Sequence, residues 1–381
     1  MAFLRNDAIN RVNLHTGIEA LAQSGGGVFL LVYLIRAGIS VPLTLCTMAA
    51  ILTARFALRP LILPLARHWG LKPLLIAGTI AMAAPYPLLA EVRGVGGALA
   101  LLCLAGAVGG IFYWPAYNAY FAALGDAEHR GQQIAAREAL VAGAAIVAPL
   151  LGAWALVAMG PRWMFACVGM VQALSALPLF GMPNVAVART APGALRAAAL
   201  GTALGAADGW FDACFLYAWQ IALFVTLGES FAAYGGAMAL AGLFGALFGM
   251  VLGRHVDAGH GRRAVAIAYS GMAAIVVLRS MSLGSPWLAV GANAFGALLG
   301  SLMLPASTAS YNLAKASPCP MRFQLAAEAG WDLGCVCALL IAAGLAAEGV
   351  PLARILLVGL PPLAVAAPLL RRYYGARHAA L

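Results

Sequence analysis

The sequence predicts an all-α, polytopic membrane protein whose twelve transmembrane helices form two pseudo-symmetric bundles of six. Three observations predict this fold class: an apolar composition, twelve apolar runs of membrane-spanning length, and an internal repeat that relates the first half of the chain to the second. The composition indicates a membrane protein, the number of apolar runs predicts the number of helices, and the repeat predicts two halves.

The composition indicates that most of the protein surface contacts the lipid bilayer. Of the 381 residues, 63% are hydrophobic and 9% are charged, and the mean hydropathy is +0.91, whereas a soluble domain carries about 25% charged residues. The net charge of +10 is spread over basic residues that stand singly or in pairs between apolar runs, a pattern that favours membrane orientation over nucleic-acid binding. The seven cysteines form no C-x-x-C pair and no Cys/His spacing, so we expect no bound metal and no cofactor.

Twelve apolar runs are each long enough to cross a hydrocarbon core of ~30 Å as a helix of ~20 residues. Most of the connections between them are short, and no soluble domain interrupts them. The predicted spans are residues 12–35, 41–65, 71–90, 97–121, 133–158, 162–182, 197–227, 231–252, 263–283, 287–311, 323–346 and 350–370.

The two halves of the chain carry matching features at a nearly constant spacing. Tyr113–Ala116 is matched by Met303–Ala306 at an offset of 190, and Trp69–Lys72 is matched by His260–Arg263 at an offset of 191. Two apolar halves of equal length and like helix order are typical of duplicated membrane transporters. The expected units are an N-terminal six-helix bundle at 1–182, a cytoplasmic linker at 183–196 and a C-terminal six-helix bundle at 197–381.

The distribution of Arg and Lys predicts that both termini are cytoplasmic. In that orientation 16 of the 23 basic residues fall on the cytoplasmic side, 5 on the other side, and Arg55 and Arg59 within span 2. Cytoplasmic loops are enriched in Arg and Lys, so the bias points one way. The first apolar run is long, contains polar residues and lacks a cleavage site, so we expect a membrane span and not a signal peptide. The expected location is the cytoplasmic (inner) membrane.

Two loops at equivalent places carry glycine with charged residues. They contain Gly253, Asp257, Gly261, Arg262 and Arg263 after span 8, and Gly70 and Lys72 after span 2. These loops resemble the G-x-x-x-D-x-x-G-R-[RK] motif of the major facilitator superfamily, although the later copy has one extra residue and the earlier copy has Arg67 in place of the acid. The resemblance covers essentially the whole chain and implies that these residues form a cytoplasmic gate, where Asp and Arg can hold the bundles in one state.

Span 5 carries a second resemblance. Gly143 and Ala148–Gly152 are similar to a looser form of the glycine-proline motif of exporters in this superfamily, and Pro149 in mid-span predicts a bend. The resemblance implies alternating access, a central cavity lined by spans 1, 4, 7 and 10, and, from span 5, export. The superfamily's mid-span Arg of span 4 is missing here, since Arg93 lies at the outer end.

Charged side chains inside the bilayer are costly and are candidates for function. Residues four apart share one helix face, which gives span 1 the stripe Arg11, His15, Glu19 and Gln23, and span 2 the pair Arg55 and Arg59. Glu19 and Arg59 lie at similar depth, so we expect them to form an ion pair.

Asp208 and Asp212 form a similar pair in span 7, and span 8 has no arginine at the positions equivalent to Arg55 and Arg59. A poorly solvated carboxylate without a cation can load and release a proton near neutral pH. The pair is therefore the predicted proton-coupling site, together with His15, Glu19, Gln23 and the two arginines of the first half.

Further polar and aromatic residues complete the candidate sites. Near the inner rim we expect four additional gate residues: Arg137, Glu138, Glu328 and Asp332. The candidates for the substrate cavity are Tyr113, Tyr117, Asn118, Trp210, Tyr217, Gln220, Asn293 and Thr308.

The predicted function is secondary active, proton-coupled transport of a small organic solute by a monomer that rocks residues 1–182 against 197–381. A phosphate-binding loop is absent from the sequence, so we do not expect ATP to drive transport directly. Three alternatives stay open: a lipid or lysolipid flippase with an aromatic cavity, a divalent-metal transporter that uses His15 and Glu19, and a membrane enzyme. The scattered histidines argue against the enzyme, and we expect no catalytic residues.

Overall fold

The computed structural model describes residues 6–125, 130–256, 261–300 and 304–378, and within these ranges side chains are described except at 130–132, 134–135, 248–256, 261–262, 304–308 and 376–378. The described chain is helical, without strands. In the first half, six helical segments follow one another: α1 (Asp7–Arg36), α2 (Val41–Trp69), α3 (Leu71–Ala90), α4 (Gly97–Leu124), α5 (Arg130–Ala158) and α6 (Pro161–Leu179).

The second half repeats this order. Its segments are α7 (Ala199–Asp212, Ala213–Ala218 and Trp219–Thr226), α8 (Phe231–Val256), α9 (Gly261–Ser282), α10 (Pro286–Gly300 and Leu304–Ala316), α11 (Pro320–Ala347) and α12 (Leu352–Gly375). The twelve segments coincide with the twelve predicted spans, which confirms the all-α fold class. Within the described residues, nine of the helices are long and apolar enough to cross a membrane, and α8 and α10 contribute shorter apolar helices.

Helix pairing follows the repeat. In the first half α1 packs on α5 and α6, α4 packs on α2 and α3, and α3 packs on α6. In the second half α7 packs on α11 and α12, α10 packs on α8 and α9, and α9 packs on α12. Adding six to each helix number in the first set produces the second set. The halves meet mainly through α2 with α11 and through α5 with α8, and the same rule exchanges these two contacts.

The repeat-related helices α1 and α7 are both interrupted near their middle. In α1 the regular helix ends at Gly25 and resumes at Leu30, after one tight turn at Gly27–Phe29. In α7 a wider π-helical segment occupies Ala213–Ala218. The offset of the repeat places these breaks at equivalent positions. Broken helices in membranes are tolerated where they border a cavity. At such a break, backbone groups that lack a helical hydrogen bond can contact a ligand, and the helix can bend.

Small residues bring α7 and α11 into close backbone contact. A side chain at any of four glycines would meet a carbonyl of the opposite helix: Gly205 and Gly209 on α7, Gly330 and Gly334 on α11. Helices in lipid associate through such small-residue faces because close approach maximises van der Waals contact. The acidic residues of α7 and α11 are therefore held at a fixed mutual position.

Candidate functional site

A cavity of about 880 Å³ lies between the two halves, beside the breaks in α1 and α7. The four helices expected to line it all contribute side chains, and α2, α3 and α11 add others. Its wall is largely apolar, with a small set of polar groups: Gln23, Arg55, Asn118, Asp208, Asp212, Tyr217, Gln220, Gln324 and Glu328. A concave, mostly apolar wall with few polar groups is the usual form of a site for small molecules.

Among the predicted substrate-cavity residues, Asn118, Tyr217 and Gln220 line this cavity. On α4, Tyr113 and Tyr117 stack on each other with ring centroids 5.6 Å apart, and both are buried against α1. One turn of α4 thus carries two faces: the tyrosines face α1, whereas Trp114 and Asn118 face the cavity.

Trp210 and Asn293 also lie outside the cavity, because the rotation of their helices directs both side chains toward neighbouring helices. Trp210 donates a hydrogen bond to the carbonyl of Val358 (2.9 Å) on the side of α7 that faces α12. Asn293 bonds Trp219 (2.9 Å) and the carbonyl of Ala237 (3.1 Å), which ties α10 to α7 and α8. The side chain of Thr308 lies outside the described residues.

The expected ion pair between Glu19 and Arg59 is wrong. Asp332 of α11, which has no exposed surface, accepts hydrogen bonds from both Arg55 and Arg59 of α2, the Arg55 Nε contact being 2.7 Å long. Arg59 also donates to the carbonyl of Leu325 (3.0 Å). Both arginines face α11 across the boundary between the halves, so a partner from the other half is nearer than a partner on α1.

Asp332 also lies deeper than the inner rim where a gate residue was expected. It is the thirteenth residue of the 28-residue helix α11, about 18 Å along a helix that rises 1.5 Å per residue. The cluster Arg55–Arg59–Asp332 therefore joins the two halves near mid-depth. A guanidinium held to a carboxylate by two hydrogen bonds is among the stronger pairings in proteins.

Closer to the side that holds the chain termini, the halves meet again through Asn118. Its amide donates to Glu328 (2.8 Å), and its oxygen accepts from the hydroxyl of Tyr311 (3.1 Å). Arg137 reaches the hydroxyls of Tyr117 (3.5 Å) and Tyr311 (3.4 Å) and pairs with Glu138 (2.6 Å). We name this set the inner layer; it includes three predicted gate residues.

On the opposite side of the cavity an aromatic layer joins the halves. Phe29 of α1 lies 6.2 Å from Phe231 and 5.7 Å from Tyr234 of α8, measured between ring centroids. The Tyr234 hydroxyl donates to the carbonyl of Val28 (3.1 Å). The cavity is thus bracketed by a polar inner layer and an aromatic outer layer, and each crosses the boundary between the halves.

Asp208 and Asp212 both face the cavity from one side of α7. Asp212 accepts a hydrogen bond from the indole N–H of Trp331 (3.1 Å), and Asp208 is exposed to the cavity space. Neither forms an ion pair with a described basic residue. The two acids, one turn apart, thus face the cavity without a described basic partner.

Of the polar stripe predicted on α1, Gln23 lines the cavity, whereas Arg11, His15 and Glu19 are not among the lining residues. His15 is fully buried: its Nδ1 donates to the carbonyl of Ser175 (2.7 Å), and its Nε2 accepts from the hydroxyl of Tyr113 (3.1 Å). Glu19 is 6% exposed and contacts Gln23, and one of its oxygens has no described partner. Because both nitrogens of His15 are occupied, its pairing with Glu19 at a metal ion has no geometric support.

The loop after α2, which the sequence predicted to be part of a gate, contacts the segment that connects the two halves. Gly70 has a φ of +83°, which ends α2 and turns the chain into α3. The backbone N–H of Lys72 donates to Asn184 (3.2 Å), and its side chain donates to the carbonyl of Phe180 (3.4 Å). In the second loop that the sequence predicted to form a gate, Arg263 is exposed. Asp257 lies outside the described residues. The helical backbone at Gly253, Gly261 and Arg262 is described, but the surroundings of these residues are not.

One buried cation, Arg279, was not among the site residues predicted from the sequence. Arg279 of α9, placed by the sequence near the outer side, is 5% exposed and has no acidic partner among the described residues. It donates to the carbonyl of Phe215 (2.7 Å) within the π-helical segment, and its guanidinium lies over the rings of Phe215 and Trp219, 3.9 and 4.6 Å from the centroids. No signal in the sequence indicated this contact, because the rotation that turns Arg279 toward α7 is not visible in the sequence of α9.

Comparison with known proteins supports the same architecture. No protein-family model matches the chain, and no curated protein matches its sequence. Among solved structures, the human organic anion transporter MFSD10 (TETRAN) superposes with a TM-score of 0.69 at 16% sequence identity, covering 96% of this chain and 99% of the other. The likeness concerns the fold over almost the full length of both chains. This protein therefore has the major facilitator fold, as the two loop motifs and the repeat predicted.

Proposed function

We propose that this protein is a proton-coupled secondary transporter that moves a small organic solute across the cytoplasmic membrane by alternating access. One observation carries the proposal: two carboxylates, Asp208 and Asp212, face a cavity between the halves without a described cation beside them. A membrane protein retains uncompensated acids inside the bilayer at a cost, and such acids mark ion or substrate pathways.

Alternating access follows from the two layers that bracket the cavity. Opening toward one side requires the inner layer to separate, and opening toward the other requires the aromatic layer to separate. In this proposal residues 1–182 and 197–381 move as two bodies, with 183–196 as the linker, and the breaks in α1 and α7 allow bending at the level of the cavity. Hinge-like motion of this kind exchanges one set of packed contacts for another.

Asp212 is the proposed proton carrier and Asp208 assists it. The bond from the Trp331 indole stabilises the charged form of Asp212, and it links the protonation state of α7 to α11, which holds the ion pair with α2. Protonation of Asp212 weakens an interaction that favours its carboxylate. A change at one residue can thereby bias the contact between the halves. Glu19, buried beside Gln23, is the next candidate if Asp212 is not the carrier.

The proposed orientation has both termini in the cytoplasm, so that the inner layer faces the cytoplasm. The proposed direction is export by a monomer. Export rests on the resemblance of span 5 to the motif of exporters, in which Pro149 leaves the carbonyl of Ala145 without its helical donor. Gly242 of α8 packs on that carbonyl, and Gly235 packs on the carbonyl of Pro149, so the bend of α5 lies on the boundary between the halves.

The similar structure, MFSD10, is named for organic anions, and at 16% identity that name does not by itself select a substrate for this chain. A flippase of lipids or lysolipids is retained as an outcome of the test, because the wall of the cavity is largely apolar. A divalent-metal substrate at His15 and Glu19 is not supported, since His15 has no free nitrogen.

The test is solute-driven proton movement in proteoliposomes that contain the purified chain and an internal pH indicator. Wild-type protein is expected to move protons when a transported solute is added, and Asp212→Asn is expected to lose this flux while its fold survives. The matched control is Asp7→Asn, the same chemical change at an exposed residue far from the cavity. Equal flux and equal pH dependence in Asp212→Asn and Asp7→Asn would refute the coupling role.

A further inference from the structure

We propose that the substrate of this cavity is an organic cation that carries an aromatic or other apolar body, and that it binds at Asp208 and Asp212. The inference rests on the proposed function and specifies its substrate class.

The charge of the cavity wall supports a cation. The two arginines near the cavity, Arg55 and Arg59, are matched in number by two carboxylates of α11, Asp332 and Glu328. Asp332 pairs with both arginines, and Glu328 lies within their electrostatic reach and is held by Asn118. This cluster is neutral as a whole. The acids that remain on the wall without a described basic partner are Asp208 and Asp212, and ionisation of either one makes the wall negative.

The position of the two acids suits a single positive group. Residues four apart on a helix have Cβ atoms about 6 Å apart on one face, so one ammonium or similar cation can contact both. Asp208 is open to the cavity space, and Asp212 is fixed by Trp331. An anionic solute would have to approach both carboxylates, while the arginine that lines the cavity is already engaged with Asp332.

The rest of the wall suits an apolar body attached to the charge. Aromatic side chains line the same cavity as the acids, among them Trp114, Phe211, Phe215, Tyr217 and Trp331. The faces of such rings attract cations, with gains of about 0.5–2 kcal/mol per contact when water is excluded. Phe211 and Phe215 stack at 4.7 Å on α7 itself. A volume of about 880 Å³ lies within the range of about 300–1,000 Å³ typical of small-molecule pockets.

Binding of the cation competes with protons for the same two carboxylates. Loading the cation releases a proton from the pair, and reprotonation releases the cation, so that the two species exchange. Affinity for a permanent cation is therefore expected to rise with pH. Titratable groups from three helices interact with the pair: Tyr217 on α7, Tyr269 on α9 and Cys335 on α11. Arg55 on α2, Tyr311 on α10 and Glu328 on α11 line the same cavity, and Asp332 lies behind Arg55. Asp332 is paired with arginine and Glu328 is held by the amide of Asn118, whereas Asp208 and Asp212 have no described partner of either kind.

The test uses two probes of the same shape and opposite charge, tetraphenylphosphonium and tetraphenylborate, with benzyltrimethylammonium as a smaller cation. Binding to the purified full-length chain is measured by equilibrium dialysis and by quenching of tryptophan fluorescence, at pH 5.5 and 8. At least one cation is expected to bind at least about tenfold more tightly at the higher pH, and to release protons in weakly buffered solution.

The variants decide where the cation binds. Asp208→Asn with Asp212→Asn is expected to weaken cation binding at least about tenfold and to abolish its pH dependence, whereas Asp7→Asn is expected to bind as wild type does. Each single Asn variant is measured as well, so that one folded variant suffices to locate the site. Stronger binding of the borate, binding of neither cation, or full cation affinity in the double variant would each overturn the proposal.

Failure of this proposal is distinguishable from failure of the proposed function. If proton flux in proteoliposomes requires Asp212 but is driven by anionic, neutral or lipid solutes only, proton-coupled transport stands and the cation class falls. If cations bind at the pair but no solute moves protons, the substrate class stands and the coupling falls.

Discussion

Replacing Asp332 by Asn removes the carboxylate that Arg55 and Arg59 share across the boundary between α2 and α11. Asp332 has no exposed surface, and the arginine side chains are 8% and 9% exposed. Breaking a buried pair by removal of one partner costs about 3–5 kcal/mol, because the remaining charge is left unpaired. Here two guanidinium groups lose the partner that they share.

The expected loss can be measured as a melting temperature of the purified chain in detergent. With an unfolding entropy of about 2.1 cal/mol/K per residue, 381 residues give roughly 0.8 kcal/mol/K, so 3–5 kcal/mol corresponds to about 4–6 °C. Asp7→Asn is the matched control, because exposed ion pairs contribute only about 0–1 kcal/mol. It is expected to shift the melting temperature by less than about 1 °C by the same scaling.

A double-mutant cycle distinguishes a direct pair from two separate effects. Arg59→Gln alone leaves Arg55 with Asp332, and Arg59→Gln combined with Asp332→Asn removes one charge of each sign. The double variant is therefore expected to lose less than the sum of the single losses. Additive losses, or an unchanged melting temperature in Asp332→Asn, would refute the shared ion pair and restore Glu19 as a candidate partner of Arg59.

Three further predictions concern other parts of the molecule. Gly334→Ala places a methyl group against a carbonyl of α7 and is expected to lower stability by about 1–3 kcal/mol. Gly344→Ala is the control, because this position has open space around it. Equal melting temperatures of the two variants would contradict the close contact of α7 and α11. Arg279→Gln loses a charged donor to the π-helical segment and is expected to cost about 1.5–3 kcal/mol, measured as thermal stability, while retention of full stability would show that this bond does not support the segment. A reporter after Leu381 is expected to be cytoplasmic and one near Gly94 to be external; a C-terminus on the external side would contradict the orientation.

The helix count and the fold class could be predicted from the sequence because both depend on length and periodicity. A bilayer of fixed thickness requires about 20 apolar residues per crossing, so the twelve runs were visible without tertiary information. The repeat was visible for a related reason: a constant offset between the halves preserves the order of helices, and pairing in the structure follows that order. The equivalent breaks of α1 and α7 lie at the same offset, although neither was expected.

The candidate site also has one part that could be predicted from the sequence and one part that could not. The sequence identified Asp208, Asp212 and Asn118 as polar residues at cavity depth, and they line the cavity. It could not show that Tyr117, next to Asn118, turns away toward α1, because depth is set by position in the sequence but direction is set by rotation of the helix. A rotation of one residue, about 100° in a helix with 3.6 residues per turn, moves a side chain from the cavity to a packed interface.

The sequence by itself determined how many apolar runs this protein has, the approximate depth of residues such as Asp208 and Asn118, and which helices are related by the repeat. Only the tertiary structure decided which charges meet: Arg59 pairs with Asp332, 273 positions away, and Glu19 lies apart. The physical reason is that hydrophobic length fixes a helix along the bilayer normal, whereas its rotation and neighbours follow from side-chain packing against other helices, such as the glycine faces of α7 and α11.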